Sequence, residues 1–258
     1  MSPAYGGERI WTLEVRKIIR LDKALAHSGW GSRSEMRAAV KGGRVSVDGK
    51  TLTNPEAHVE PGTQRILLDG NDIDWREFYY LIMNKPAGYV SSTCDPRDMT
   101  VLELLPERFR RMGLFPVGRL DKDSTGLLLL TNNGELAHML LSPAKHVPKT
   151  YEVTVDGELD EKMPEHFKRG LRLPDGKVCL PAELELITKK RARITLYEGK
   201  FHQIKRMMSV FMLNVCSLHR ISMGGVELPI RLEPQGFEPI DEGALLGMLD
   251  VQFAQRPK

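Results

Sequence analysis

The apolar run Leu127-Leu128-Leu129-Leu130 lies between a charged, glycine-bounded loop, Gly118-Arg119-Leu120-Asp121-Lys122-Asp123-Ser124-Thr125-Gly126, and the turn residues Asn132-Asn133-Gly134. An unbroken run of this length predicts a strand buried on both faces, and Asn-Gly predicts the turn that ends it. A strand that begins beside two carboxylates and an arginine holds those charges on a rigid element, as a catalytic site requires.

Elsewhere the pattern changes period. Leu21, Ala24, Leu25 and Ser28 share one helical face, with Gly29 placed as a C-terminal cap. Ser32-Arg33-Ser34-Glu35 has the form of a capping box and opens a second helix through Met36, Ala39 and Val40, stopped by Gly42-Gly43. Arg44-Val45-Ser46-Val47 alternates as a strand, Asp48-Gly49 turns the chain, and Ile66-Leu67-Leu68 predicts another strand. Further strands are expected at Tyr79–Met83, Lys149–Val155 and Ala192–Leu196. Helices are expected at Glu135–Leu141, over 159–169, and from a strand-to-helix junction that carries Lys205 and Arg206 in its first turn. Two cations at a helix start oppose the macrodipole, so they are expected to answer a carboxylate or a phosphate.

These elements suggest an extension over 1–17, a small module over 18–69, a linker over 70–78, a larger domain over 79–248 and a tail over 249–258. The fold class is α+β. Of the chain's 258 residues, 41% are hydrophobic and 28% charged, ordinary for a globular protein. Its net charge is only +3, yet between residues 16 and 50 nine Lys or Arg face three acids. The positive charge is therefore concentrated in the N-terminal module, where two helices and a hairpin suit contact with a phosphate backbone. Cys94, Cys179 and Cys216 lack the spacing of a zinc site or a disulfide framework. No apolar run reaches the length of a membrane span and no signal-peptide core is present, so a cytoplasmic location is expected.

The central loop and strand resemble the signature of the RsuA-type pseudouridine synthases, G-R-L-D followed by T-G-L-L-L-L-T-N, whose Asp is the catalytic residue; the matching position is Asp121. A second stretch, Glu198-Gly199-Lys200-Phe201-His202-Gln203-Ile204-Lys205-Arg206-Met207, is similar to another motif of that family. There the resemblance pairs Lys205 with the catalytic Asp. Lys149-Thr150-Tyr151 matches the element that sets a tyrosine beside the target base, and Leu218-His219-Arg220 one that sets a leucine near the site. Asn84-Lys85-Pro86-Ala87-Gly88 resembles the first family motif, a tight turn in which Lys85 is also a candidate RNA contact. The resemblance thus implies Asp121, Tyr151 and Lys205 as catalytic, and Arg119, Leu218 and Arg206 as pocket residues. The family's usual C-terminal Arg is replaced by Glu238.

In the module, Arg20-Leu21-Asp22-Lys23, Ser32-Arg33-Ser34 and Gly43-Arg44-Val45-Ser46-Val47-Asp48-Gly49 resemble the small RNA-binding domain of ribosomal protein S-four. Arg33, Arg37, Lys41 and Arg44 are its candidate RNA contacts. The larger domain is then expected to carry a mixed, mainly antiparallel sheet. The implied activity is that of the RsuA/RluB/RluE/RluF group: isomerisation of a uridine in ribosomal RNA, the small-subunit 16S RNA being favoured over 23S RNA. Ribosomal RNA or a ribosome assembly intermediate is the expected partner, and the protein is expected to be a monomer. The reaction needs no redox or phosphoryl step, so no cofactor and no metal are expected.

Two other loops share part of the pattern. Asp121-Lys122-Asp123-Ser124-Thr125 fits the D-x-D-x-T loop of haloacid-dehalogenase-like phosphatases, but there the apolar strand precedes the loop, whereas here it follows. A calcium loop fails at its twelfth position, Asn132, where a bidentate Glu is required. A non-catalytic assembly factor that binds RNA is the alternative from another class. It leaves the joint presence of Asp121, Tyr151 and Lys205 unexplained.

Overall fold

The computed structural model describes residues 17–249. They fall into two compact units: residues up to Glu77 with Glu107–Met112, and Phe78–Pro106 with Gly113 onward. Trp11, Leu13 and Val15, whose conformation the sequence left open, lie outside the described residues.

The N-terminal module begins with β1 (Ile19–Arg20), α1 (Leu21–His27) and α2 (Arg33–Lys41). The capping box forms: the Ser32 hydroxyl accepts from the Glu35 N–H, and the Ser32 N–H donates to the Glu35 carboxylate at 2.6 Å. Those two bonds to Ser32, followed by the ion pair with Arg111, bring the Glu35 pKa down to about 2. Strands β2 (Val45–Val47) and β3 (Lys50–Thr51) form the hairpin across Asp48-Gly49. β4 (His58–Val59) pairs with β1, and β5 (Ile66–Leu68) pairs with β2. The apolar faces of the helices and strands meet in one core around Leu21, Leu25, Val40, Val45 and Ile66.

This core runs past residue 69, so the linker expected over 70–78 belongs largely to the module. β6 (Asn71–Asp72) pairs with β5, and Ile73 is buried beside Ile66 and Leu68. Ile73, Trp75 and Phe78 stand singly among polar residues and gave no sustained period to read. The module also takes up a stretch from within the expected 79–248 domain, the short α3 (Glu107–Arg110) and the two residues after it. Arg108 donates to the Ser28 carbonyl and lies 4.8 Å over the Trp30 ring, while Arg111 pairs with Glu35. Gly29 permits this approach, because a Cβ there would sit 2.2 Å from the Arg108 carbonyl oxygen.

The larger unit is built on one mixed sheet. In chain order its strands are β7 (Tyr80–Lys85), β8 (Phe115–Val117), β9 (Thr125–Thr131), β10 (Lys149–Val155), β11 (Glu183–Thr188), β12 (Arg191–Leu196), β13 (Val215–Met223), β14 (Val226–Glu227) and β15 (Phe237–Pro239). The spatial order is β11-β12-β10-β13-β9-β7-β15, with β8 on β9 and β14 on β13. Every pairing is antiparallel except that of β13 with β9. This is the mixed, mainly antiparallel sheet that was expected. The leucine strand β9 is hydrogen-bonded on both edges, and Leu127 to Leu130 are all buried. Leu127 and Leu129 pack with α4 (Gly134–Leu141) and α7 (Glu242–Leu249), while Leu128 and Leu130 alternate to the opposite face. Helices α5 (Met163–Arg169) and α6 (Gln203–Ser209) cover the other half of the sheet through Phe167, Ile204 and Met207.

Neither β15 nor α7 was anticipated. Gly243 and Gly247 obscure the helical pattern of α7, which is held in place by Leu245 and Leu249 in the core. Leu249 was expected to begin a tail and is instead the last residue of this helix. Among the described residues no helix is long and apolar enough to cross a membrane.

The parallel contact of β13 with β9 is confined to His219 opposite Thr125 and Arg220 opposite Gly126. A Cβ on Gly126 would lie 2.3 Å from the Arg220 carbonyl oxygen and 2.7 Å from its nitrogen, at a φ of +103°. Gly126→Ala therefore forces either the backbone or the strand pairing to shift. We expect it to cost about 3 kcal/mol or more, read as a lower urea midpoint.

Candidate active site

Asp121 occupies the loop between β8 and β9, and that loop is held mainly through its backbone. The ammonium of Lys85, the last residue of β7, is fully buried and donates to the carbonyls of Ser124 at 2.7 Å, Pro86 at 3.0 Å, Asp121 at 3.1 Å and Lys122 at 3.4 Å. The Gly88 N–H donates to the Lys122 carbonyl, and the Ser91 hydroxyl brackets Leu120, bonding both its N–H and its carbonyl. At the far end Thr125 meets His219 Nδ1 at 2.8 Å. Burial lowers the Lys85 pKa to about 8, with the Asp123 and Asp121 charges opposing the shift.

The expectation that Lys85 faces RNA is thereby corrected. A side chain with no exposed surface and four carbonyl acceptors is a clamp on the Asp121 loop. Periodicity placed Lys85 in the turn after a strand that was read as ending at Met83. The strand in fact continues through Lys85, which pairs with Gly126.

The Asp121 carboxylate is partly exposed and faces two cationic or potentially cationic groups. Lys205 Nζ lies 3.3 Å from Oδ2, and His202 Nε2 lies 3.4 Å from Oδ1. Lys205 also reaches both oxygens of Asp123, at 2.7 and 2.8 Å. Burial works against the Lys205 charge, but the hydrogen bonds to Asp123 and Asp121 outweigh it and hold its pKa above the usual range. The same hydrogen bond keeps Asp123 below the usual carboxylate range. Lys205 comes to this place because it lies in the first turn of α6, directly after the loop from β12. His202, at the N-cap of α6, takes a left-handed φ of +49°, a conformation that costs energy for a residue with a side chain.

The pocket residues separate. Leu218 and Tyr151 are both buried, in the same apolar cluster as Leu120, the residue before Asp121. Arg206 turns to Asp175 at 2.5 Å, so each of the two cations at the helix start does answer a carboxylate. Arg119 is exposed and makes no ion pair with the described residues. Glu238, at the position where Arg was expected, pairs with Arg231. The sequence reading missed His202, Asp123 and Asp175 as members of this charge network. His202 and Asp123 stood inside the recognised motifs, whereas Asp175 comes from an exposed turn with no signal of its own. Among the described residues, no group of three or more His, Cys, Asp or Glu is placed to hold a metal.

In the N-terminal module, taken by itself, the candidate RNA contacts also differ. The Asp22 side chain is fully buried, with Arg20 at 2.8 Å, Arg37 at 3.2 Å and Arg33 at 3.5 Å around it. Burial alone would raise its pKa, but Arg20 and Arg33 more than offset this and keep it low. Arg44 is committed to Asp69, and Lys41 is exposed without an ion pair among the described residues.

A carboxylate set between a lysine and a histidine, at the mouth of a sheet and next to an apolar cluster with a tyrosine, defines a nucleophile or base site. Comparison with known proteins gives the family of the chain that carries it. The family profile of RNA pseudouridylate synthase matches residues 79–210, and that of the S4 domain matches residues 19–64. The chain is 38% identical over 226 residues to ribosomal small subunit pseudouridine synthase A of Escherichia coli K12, covering 87% of this chain and 97% of that protein. It is 45% identical over 231 residues to the uncharacterized RNA pseudouridine synthase YtzG of Bacillus subtilis, covering 88% and 97%. A solved structure described as a pseudouridylate synthase superposes with a TM-score of 0.63 at 29% identity, covering 89% of this chain and 99% of that one. The chain belongs to the RNA pseudouridylate synthase family, in its RsuA-type branch with an N-terminal S4 domain. It is an isomerase of uridine.

Lys85→Met, of similar length but with no donor, is expected to cost about 3 kcal/mol, because it leaves buried carbonyls unpaired. It should also depress kcat more than it changes KM, since the loop it frees carries Asp121. The Lys205–Asp123 pair has a definite pH signature. Its contribution through Asp123 is present above the ordinary Asp pKa near 4 and is lost as pH falls. Its contribution through Lys205 is present below about 10.4 and is lost as pH rises through the elevated value. Chemical denaturation of Lys205→Met should therefore give a flatter stability profile at both ends of the pH range.

Proposed function

We propose that this chain converts uridine to pseudouridine at a site in ribosomal RNA, and that small-subunit RNA is its substrate. The observation that carries the reading is Asp121, clamped by Lys85 through its backbone and faced by Lys205 at 3.3 Å. The isomerisation breaks the bond from N1 of uracil to C1′ of ribose, turns the base, and forms a C5–C1′ bond. N1 ends with a proton and C5 loses one. An ionised carboxylate serves this reaction either by attacking C1′ or by assisting removal of the 2′-proton. Asp121 is that carboxylate, and Lys205 supplies the positive charge beside it. The uridine must leave its stack to be turned, and the apolar wall of Tyr151 and Leu218 suits an extruded base.

The likeness to the small-subunit enzyme of Escherichia coli, which spans nearly the whole of that protein, supports small-subunit RNA as the substrate. The basic face of the S4 domain supports binding to the phosphate backbone through Arg33, Arg37, Lys41 and Arg44, with Arg33 and Arg37 pre-oriented by buried Asp22.

Release of tritium from C5 of labelled uridine in unmodified small- and large-subunit RNA tests the reading. Release from small-subunit RNA alone is expected, and Asp121→Asn should abolish it while RNA affinity stays within about two-fold, since phosphate contacts dominate binding. Release from large-subunit RNA alone overturns the substrate assignment, and release from neither overturns the activity in ribosomal RNA. Replacing Arg33, Arg37 and Lys41 together with Gln should reduce the slope of log affinity against log salt by about 2.

A further inference from the structure

Phe201 is three-quarters exposed, although it lies within the sequence motif that supplies Lys205. Its ring does not turn inward. It stacks on the His202 imidazole with centroids 3.8 Å apart and planes 17° from parallel. His202 in turn points its Nε2 at Asp121, 3.4 Å away. An aromatic surface thus leads outward from the catalytic carboxylate, and its outer face is open.

The segment that carries it is held on several sides. The Phe201 carbonyl accepts from Arg206, Lys200 pairs with Glu198, and the Gln203 side chain accepts from the Lys200 N–H while donating to Glu198. The left-handed backbone of His202 persists because these contacts over-determine it. Leaving a large apolar ring in water on so constrained a segment has a cost with no return inside the protein. Phe201 stands four residues before Lys205 in a chain of the RNA pseudouridylate synthase family, which favours a nucleobase over an apolar protein partner.

We propose that the outer face of Phe201 is a stacking site for an unpaired nucleobase of the RNA, one next to the uridine held at Asp121. His202 backs the ring and fixes it relative to the carboxylate, so that the stacked base sets the register of the target. This rests on the reading of Asp121 as the catalytic residue on RNA. The contact is tolerant of base identity, because every base offers a π-face.

Two readouts test it. In the first, kcat/KM for tritium release is compared for the native chain, Phe201→Ala and Phe201→Trp. In the second, unmodified small-subunit RNA is irradiated at a short ultraviolet wavelength absorbed by every base, with the native protein bound, and the cross-linked peptides are mapped, which does not depend on turnover. The proposal predicts a fall of about 10-fold or more for Phe201→Ala, recovery with Phe201→Trp, and a cross-link at Phe201. Native activity together with a Phe201→Ala variant within about two-fold of it overturns the stacking site and leaves the reaction standing. Absence of any Phe201 cross-link overturns the stacking site as well. A Phe201 cross-link with no turnover by the native chain keeps the stacking site and overturns the proposed reaction.

Discussion

The site depends on one buried ammonium. Lys85 donates into four backbone carbonyls, three of them in the loop that carries Asp121. A charge without exposed surface is costly unless its hydrogen bonds are met, and here backbone oxygens rather than a carboxylate meet them. The result is a loop whose main chain is fixed while its side chains stay free for other work. Asp121 and Asp123 can then face Lys205, because neither is spent on holding the loop.

The position of that loop follows from the sheet. β9 and β13 form the parallel pair among the sheet's named strands, and the parallel contact lasts only two residues, at the point where the loop ends. Gly126 makes the approach possible, and Lys85 and Arg220 flank it on the two sides. Buried Arg220 donates to the Leu127 carbonyl, tying β13 to β9 at this place. The carboxylate therefore stands where three strands converge, and α6 delivers Lys205 and His202 to it from a distant part of the chain. Preorganised charge of this kind acts on a developing transition state without the reorganisation that water requires.

A second carboxylate, Asp22, organises the N-terminal module in the opposite sense. There a buried anion gathers three arginines, which fixes their directions and leaves part of each guanidinium exposed. In both units, a residue of one sign is sunk beneath the surface and fixes the groups around it.

Much of this was determined by local sequence alone. The leucine strand, the capping box at Ser32 and Glu35, the Asp48-Gly49 hairpin and the strand-to-helix junction before Lys205 all followed from periodicity and turn chemistry, which act over a few residues. The motif around Asp121 also singled out the carboxylate that the structure sets opposite Lys205 and His202. What only the tertiary structure decided was where each side chain ends. Lys85 reads as a surface cation in a turn, and it became a clamp because a loop 36 residues away closes over it. Arg206 and Lys205 are neighbours on one helix, yet they answer different carboxylates, Asp175 and Asp121, brought in by separate loops. Ile73 and the residues 107–112 joined the module through contacts that leave no period in the sequence. Hydrophobic period and capping are local properties, whereas burial and ion pairing depend on residues that only the folded chain brings together.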